Sequence, residues 1–183
     1  MRFPLIVTLE GIVLKRRNIG ESDRLITLFT KEKGKVRVLA RGIRKIGSRR
    51  AGHLEVFSRA AVTIHKGREL DTLSEASGLG DQQTWESLSQ IAGAYYVCEL
   101  IDVLLPIEQE HADVYALLLQ TLRALQRGKE KQEETLARFA NSLLWSLGFL
   151  PRGRTLPVGS VVDYIESLIE KRLRSKQLLT TLG

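Results

Sequence analysis

The stretch GIVLKRRNIGESDRLITLFTKEKGKVRVLARGIRK, Gly11 to Lys45, holds three strand signals parted by two turn signals. Its first strand reads back to Ile6 and forward to Leu14, apolar and β-branched, and ends in Lys15-Arg16-Arg17. Asn18 to Asp23 is a turn by composition, and Leu25 to Thr30 is the second strand. Gly34 then turns the chain into a third, where Val36, Val38 and Ala40 alternate with Lys35, Arg37 and Leu39. Downstream, Glu55 to His65 alternates again, with Val56, Ser58, Ala60, Val62 and Ile64 on one face. Lys66-Gly67-Arg68 forms a hairpin into Leu70 to Ser77. Five short strands with glycine turns suit a small barrel, which closes its own edges, and the OB-fold is the five-stranded solution.

Charge is the second signal. Lys31 to Arg50 carries nine basic residues (Lys31, Lys33, Lys35, Arg37, Arg41, Arg44, Lys45, Arg49 and Arg50) against one acid, Glu32. Alternation places Lys35, Arg37 and Arg41 together on one strand face, away from the small apolar set. From Arg41 to Gly52 there are three glycines and no apolar period, which reads as a flexible cationic loop hung from that face. Most charge runs are solvated surface. This one is single-signed and continuous with a strand face, which favours a polyanion as its partner.

The whole chain has 183 residues and a net charge of +7, with ordinary apolar (43%) and charged (27%) fractions. That length can bury a real core. The balance is uneven: residues 1–80 carry 17 basic and 8 acidic side chains, and residues 81–151 carry 5 and 10. One cysteine, Cys98, excludes an internal disulfide and a Cys-rich zinc site within the chain. The apolar run Phe3 to Leu9, broken by Thr8, is too short to span a membrane, and no small-residue cleavage site follows. A reducing cytoplasm is the expected setting, with no membrane partner.

Gly78-Leu79-Gly80-Asp81 marks a boundary, after which the period is helical. A first helix, about Thr84 to Leu105, brings Leu88, Ile91, Tyr95, Cys98, Asp102 and Leu105 near one face, and Pro106 ends it. A second covers Ala112 to Arg127 and stops at Gly128; a third covers Lys131 to Leu147 and stops at Gly148. Ser160 to Asp163 reads as a capping box opening a last helix with Val162, Ile165, Leu168 and Ile169 inward. The class is α+β: a five-stranded OB-fold barrel over residues 1–80, then an all-α domain over residues 81–183.

Catalytic constellations are wanting. His53, His65 and His111 lie on a loop, a strand end and a helix start, with no pair at metal-ligand spacing. Gly34-Lys35 is followed by valine and lacks an upstream glycine, so it is no phosphate-binding loop. Glu21 and Asp23 could in principle hold a cation, but acids in such a turn are more simply paired with Arg17 or Arg24. No enzyme, metal or cofactor is expected. Residues 1–80 contain three aromatics, Phe3, Phe29 and Phe57, of which only Phe57 falls out of phase with the core set. Tight single-strand binders stack bases on several aromatics. Binding is therefore expected to be directed to phosphates, blind to sequence and steeply salt-dependent.

The residues also resemble a family. Gly11 to Lys45 and Leu54 to Ala76 closely resemble the N-terminal domain of RecO, the bacterial recombination mediator family. The match rests on the G-E-x-D run Gly20 to Asp23, LFT-x-x-x-GK at Leu28 to Lys35, Ala40-Arg41-Gly42, and Gly67 with Leu70. Leu147 to Pro151 is similar to the LGY-x-P that closes the family's helical core, and Tyr164 through Lys176 looks like its final helix. Many members insert a four-cysteine zinc module after that element. Here Pro151 leads to Ser160 in a few residues without a cysteine, so no metal is carried over.

The resemblance implies an OB-fold on a helical domain that binds single- and double-stranded DNA and anneals complementary strands without nucleotide hydrolysis. It further implies RecR and the C-terminal tail of single-strand-binding protein (SSB) as partners, with RecA loading as the outcome, at the nucleoid. DNA contact falls to Lys35, Arg37, Arg41, Arg44, Lys45, Arg49 and Arg50, with Arg16, Arg17 and Arg24 beside them. A tail pocket, an apolar slot with a cation for a carboxylate, is expected near Leu117, Leu118 and Arg123. Two other readings stand beside this one: a passive module that coats nucleic acid without annealing it, and an adaptor whose basic loop meets an acidic protein.

Overall fold

The computed structural model describes residues 5–46, 48, 50–80 and 84–182, with side chains through Leu179. Contacts divide it into two units: residues 1–83 with 105–112, and residues 84–104 with 113–183.

The first unit is a closed barrel of β1 (Ile6–Ile19), β2 (Asp23–Thr30), β3 (Gly34–Ala40), β4 (Arg59–His65) and β5 (Asp71–Gly78), paired in the order β1-β2-β3-β5-β4. β1 is long enough to pair with β2 through one half and β4 through the other. All ladders are antiparallel except the β3–β5 closure, which is parallel and holds two residue pairs, Val38 with Asp71 and Leu39 with Thr72. These are the OB-fold's five strands. The interior is filled by Val13, Ile26, Leu28, Val36, Val38, Ala60, Val62, Ile64 and Leu73, drawn from every strand. Their period-two spacing makes one face of each strand the core face.

Below the short β3–β5 seam, the free edge of β3 is taken by residues 107–108. Ile107 pairs in parallel with Lys35, and the Glu108 amide donates to the Lys35 carbonyl at 2.8 Å. Gly34 permits this approach. It sits at φ +65, and a Cβ there would lie 1.7 Å from the Gln109 carbonyl oxygen. Lys66 pairs with both Asp71 and Glu108 at 2.7 Å, which holds the same segment from the hairpin side.

The second unit holds α1 (Leu88–Leu104), α2 (Ala112–Arg127), α3 (Gln132–Ser146), α4 (Val158–Ile169) and α5 (Ser175–Leu182). α1 departs from the expected single apolar face. Leu88 and Tyr95 are exposed, whereas Ala92, Gly93, Ala94, Tyr96, Val97, Cys98, Leu100 and Ile101 are buried. A helix covered on most sides has no apolar stripe to read. The expected final helix is two. α4 begins at the N-cap Pro157 rather than at a Ser160 capping box, with Val161 and Ile165 buried, and it ends at Glu170 in the left-handed region. α5 then starts under two carboxylates. Glu99 accepts from the Arg174 and Ser175 amides and the Ser175 hydroxyl, and Glu166 accepts from the Leu173 amide. Such acceptors satisfy the orphan amides of a helix start.

Candidate nucleic-acid interface

The outer face of the barrel is set by one irregularity in β1. Val13 pairs with Leu28, and both face the core; the next paired residue is Lys15, opposite Thr27. Leu14 is thus the extra residue of a β-bulge, a device that re-aims the side chains after it. Without it, Lys15 would share the core face with Val13. With it, Lys15 and Arg17 fall on the outside and Arg16, opposite the core residue Ile26, falls inside. The bulge is held by the chain that precedes β4: Phe57 donates its amide to the Val13 carbonyl at 2.8 Å, and the Val13 amide donates to Ser58 at 3.0 Å.

Registers then build the surface. Lys15 opposes Thr27, and Thr27 opposes Arg37, so the two exposed cations flank one buried threonine on a single row across three strands. Strand spacing puts their Cα atoms roughly 10 Å apart. The next row runs Arg17, Leu25, Leu39, with both leucines half-exposed. Sequence reasoning passed over Lys15. The basic run Lys15-Arg16-Arg17 was legible, but which of its members face outward depends on the bulge.

Past β3 the chain enters the cationic loop, which is pinned rather than flexible among its described residues. Asp23 accepts the Gly42 amide at 2.8 Å, Ser22 accepts the Arg44 amide at 3.0 Å, and Gly20 accepts the Arg44 guanidinium at 3.2 Å. The acidic turn therefore serves the loop's backbone, and Asp23 is spent on Gly42 rather than on Arg17 or Arg24. The Gly42 amide is the main cause that holds the Asp23 carboxyl below its ordinary value; the nearby charges of Arg41 and Lys45 add to it. Ile43 is buried at 1% exposure and anchors the loop in the barrel core. Behind it, the Arg50 guanidinium donates to the carbonyls of Arg41, Leu73 and Ser74.

The ten expected DNA contacts therefore separate. Arg17, Arg37, Arg41, Arg44 and Lys45 are exposed. Lys35 is not: it is 4% exposed, at the point where residues 107–108 cover the edge of β3, so it leaves the surface. Arg16 is paired with Glu55, and Arg24 donates to the Asn18 side chain at 3.0 Å; both lie on core-side rows at the barrel's end. Arg50 is a brace for the loop. Arg49 lies outside the described residues. Phe29 and Phe57 are both buried, so neither offers a stacking face.

In the helical unit, Leu118 is fully buried, Leu117 is half-buried and Arg123 is exposed. They do not line the groove that the unit presents. That groove, about 470 Å³, is lined by Ala92, Tyr96, Leu136, Val161, Val162 and Leu179, with Lys131 and Glu133 also against it. The Tyr96 hydroxyl is buried there without a hydrogen-bond partner. Burial, reinforced by the Glu166 and Glu99 carboxylates, pushes its pKa up, so the phenol keeps its proton and is a donor.

No group of three or more His, Cys, Asp or Glu side chains among the described residues could hold a metal ion. The single thiol, Cys98, is buried, which pushes its pKa up and favours the neutral thiol. The chain does not offer the donors of a four-cysteine zinc site. No described helix is long and apolar enough to cross a membrane.

The chain is thus a closed barrel with a cationic outer face followed by a helical unit, and each part matches a known family in sequence. Residues 1–80 match the model for the N-terminal part of recombination protein O, and residues 86–154 match that for its C-terminal part. The DNA repair protein RecO of Bifidobacterium adolescentis is 33% identical over 167 residues, covering 87% of this chain and 68% of that one. That of Symbiobacterium thermophilum is 37% identical over 147 residues (80% of this chain, 58% of that one), and that of a Roseiflexus species is 39% identical over 144 (78% and 50%). The chain belongs to the RecO family. It spans between half and three-fifths of the length of the last two relatives.

Proposed function

We propose that this chain is a non-enzymatic mediator of recombinational DNA repair that binds single- and double-stranded DNA, anneals complementary strands and, with RecR, helps RecA onto SSB-coated DNA. The observation that carries the reading is the row Lys15–Thr27–Arg37, continued by exposed Arg17, Arg41, Arg44 and Lys45 around a pinned loop. Cations arranged over three strands and a loop match a phosphate backbone in both charge and reach. With both described phenylalanines of the barrel buried, neither offers a ring for a base to stack on, which leaves the base edges free to pair. Neutralising the phosphates of two strands lowers their repulsion, which is what annealing without nucleotide hydrolysis requires.

The domain roles follow: the barrel for DNA, the helical unit for partners, acting at the nucleoid in the cytoplasm. The SSB tail is better served by the groove at Tyr96 than by Leu117, Leu118 and Arg123. An acidic, apolar peptide end needs an apolar slot and a cation. The groove offers the slot in its aliphatic lining and the cation in Lys131.

The test is annealing of two complementary labelled oligonucleotides, bare and SSB-coated, without nucleotide. The reading requires annealing of both, lost in an Arg37→Glu/Arg44→Glu/Lys45→Glu variant. DNA binding without annealing would instead make the chain a passive coating module. No DNA binding would assign the basic surface to an acidic protein.

A further inference from the structure

The loop that carries Arg44 and Lys45 also carries Ile46, and the structure treats its two isoleucines oppositely. Ile43 is 1% exposed, inside the barrel core, whereas Ile46 is 106% exposed. The turn that carries them is not loose. The Gly42 amide is held by Asp23, the Arg44 amide by Ser22, and the Lys45 amide by the Gly42 carbonyl at 3.2 Å. Ile46 is therefore held out of the core by a turn anchored through three amides and the buried Ile43. Its β-branched side chain is stiff at χ1, which narrows the shapes it presents.

A single exposed apolar residue is ordinary on a protein surface. Its neighbours make this one informative. Arg44 and Lys45 are exposed beside it, so the surface here is complementary to a ligand anionic at its edges and apolar between them. Nucleic acid has that pattern, with phosphates outside and flat base faces inside. Aliphatic side chains on cationic proteins enter base steps as wedges.

We propose that Ile46 is an apolar wedge that enters a base step of bound DNA while Arg44 and Lys45 hold the flanking phosphates; this rests on the DNA-binding reading above. The wedge supplies what the barrel's buried phenylalanines do not, a contact to bases that is independent of their identity. Unstacking costs least at frayed ends, mismatches and single-stranded junctions, so the wedge favours the partly paired intermediates of annealing over finished duplex.

The experiment uses the full chain, with 2-aminopurine placed within a single strand and beside a duplex junction, since this base brightens when unstacked. Wild type should brighten it. Ile46→Ser should bind roughly fivefold more weakly, by the same factor at low and moderate salt, and abolish the brightening; Ile46→Leu should restore both. Arg44→Glu, in contrast, should lower the salt dependence itself. Brightening that survives in Ile46→Ser, or wild-type binding without brightening, overturns the wedge and leaves the DNA reading standing. Failure of wild type to bind DNA at all overturns both.

Discussion

Asp23 Oδ1 lies 2.8 Å from the amide nitrogen of Gly42, so an acid at the start of β2 holds the backbone where the cationic loop begins. The bond explains why an acidic stretch sits beside a basic surface: the carboxylate's main partner is the Gly42 amide, with the charges of Arg41 and Lys45 secondary. Asp23→Ala removes negative charge from the proposed DNA-binding face yet should weaken DNA binding, by roughly three- to tenfold, because the loop loses its anchor. Simple electrostatics gives the opposite sign, and filter binding at fixed salt separates the two. The acid limb follows as well. A carboxyl held below its ordinary 3.8 contributes stability that is present above that value and lost as pH falls through its lower, folded value. Thermal melts between pH 5 and about 2 should show this loss in wild type and a flatter limb in Asp23→Ala.

Arg50 should behave as structure and not as ligand. Its guanidinium satisfies the carbonyls of Arg41, Leu73 and Ser74, tying the loop's end to β5. Arg50→Ala should cost about 1–3 kcal/mol of stability, the worth of charged hydrogen bonds, read as a lower urea midpoint. The slope of log affinity against log salt should stay at the wild-type value.

Gly34 is fixed by both backbone and space. Its φ is +65, and a Cβ would meet the Gln109 carbonyl at 1.7 Å. Gly34→Ala should therefore lose at least ~2 kcal/mol, from left-handed strain plus displacement of the segment on β3's edge. Hydrogen exchange at the Glu108 amide, which that segment donates to Lys35, should accelerate well beyond the global change.

Tyr96 gives a prediction in which stability changes and peptide binding does not. Its hydroxyl is buried without a partner, a state that costs roughly 1–3 kcal/mol. Tyr96→Phe should raise the melting temperature and leave unchanged the binding of a synthetic acidic, apolar peptide with the sequence of an SSB tail, since the inaccessible hydroxyl cannot meet it. A variant that loses stability instead would show that the phenol is already satisfied within the fold.

Much of the barrel was legible because its strands repeat with period two and its turns carry glycine: β2, β3 and β5 lie within two residues of their sequence reading. The helices α2 and α3 were legible for the same kind of reason, each having one apolar face. α1 was misread because burial on most sides, by Ala92, Gly93 and Ala94 among others, leaves no stripe. The candidate surface was only half legible. Alternation places Lys35 beside Arg37, and nothing local shows that residues 107–108 cover it. A bulge at Leu14 is equally invisible to alternation, yet it decides that Lys15 and Arg17, rather than Arg16, face outward. Arg44 and Arg50 look alike in sequence; one is exposed and the other braced, which depends on carbonyls from distant strands.

The central claim is that Arg37, Arg44 and Lys45 meet phosphates and Lys35 does not. The direct measurement is the salt dependence of oligonucleotide affinity for wild type, Arg37→Gln/Arg44→Gln/Lys45→Gln and Lys35→Gln. Removing three phosphate contacts to a single strand should lower the slope by about 2, since each counts for roughly 0.7. Lys35→Gln should melt earlier and keep the wild-type slope. An unchanged slope in the triple variant, or a lowered one in Lys35→Gln, would contradict the interface described.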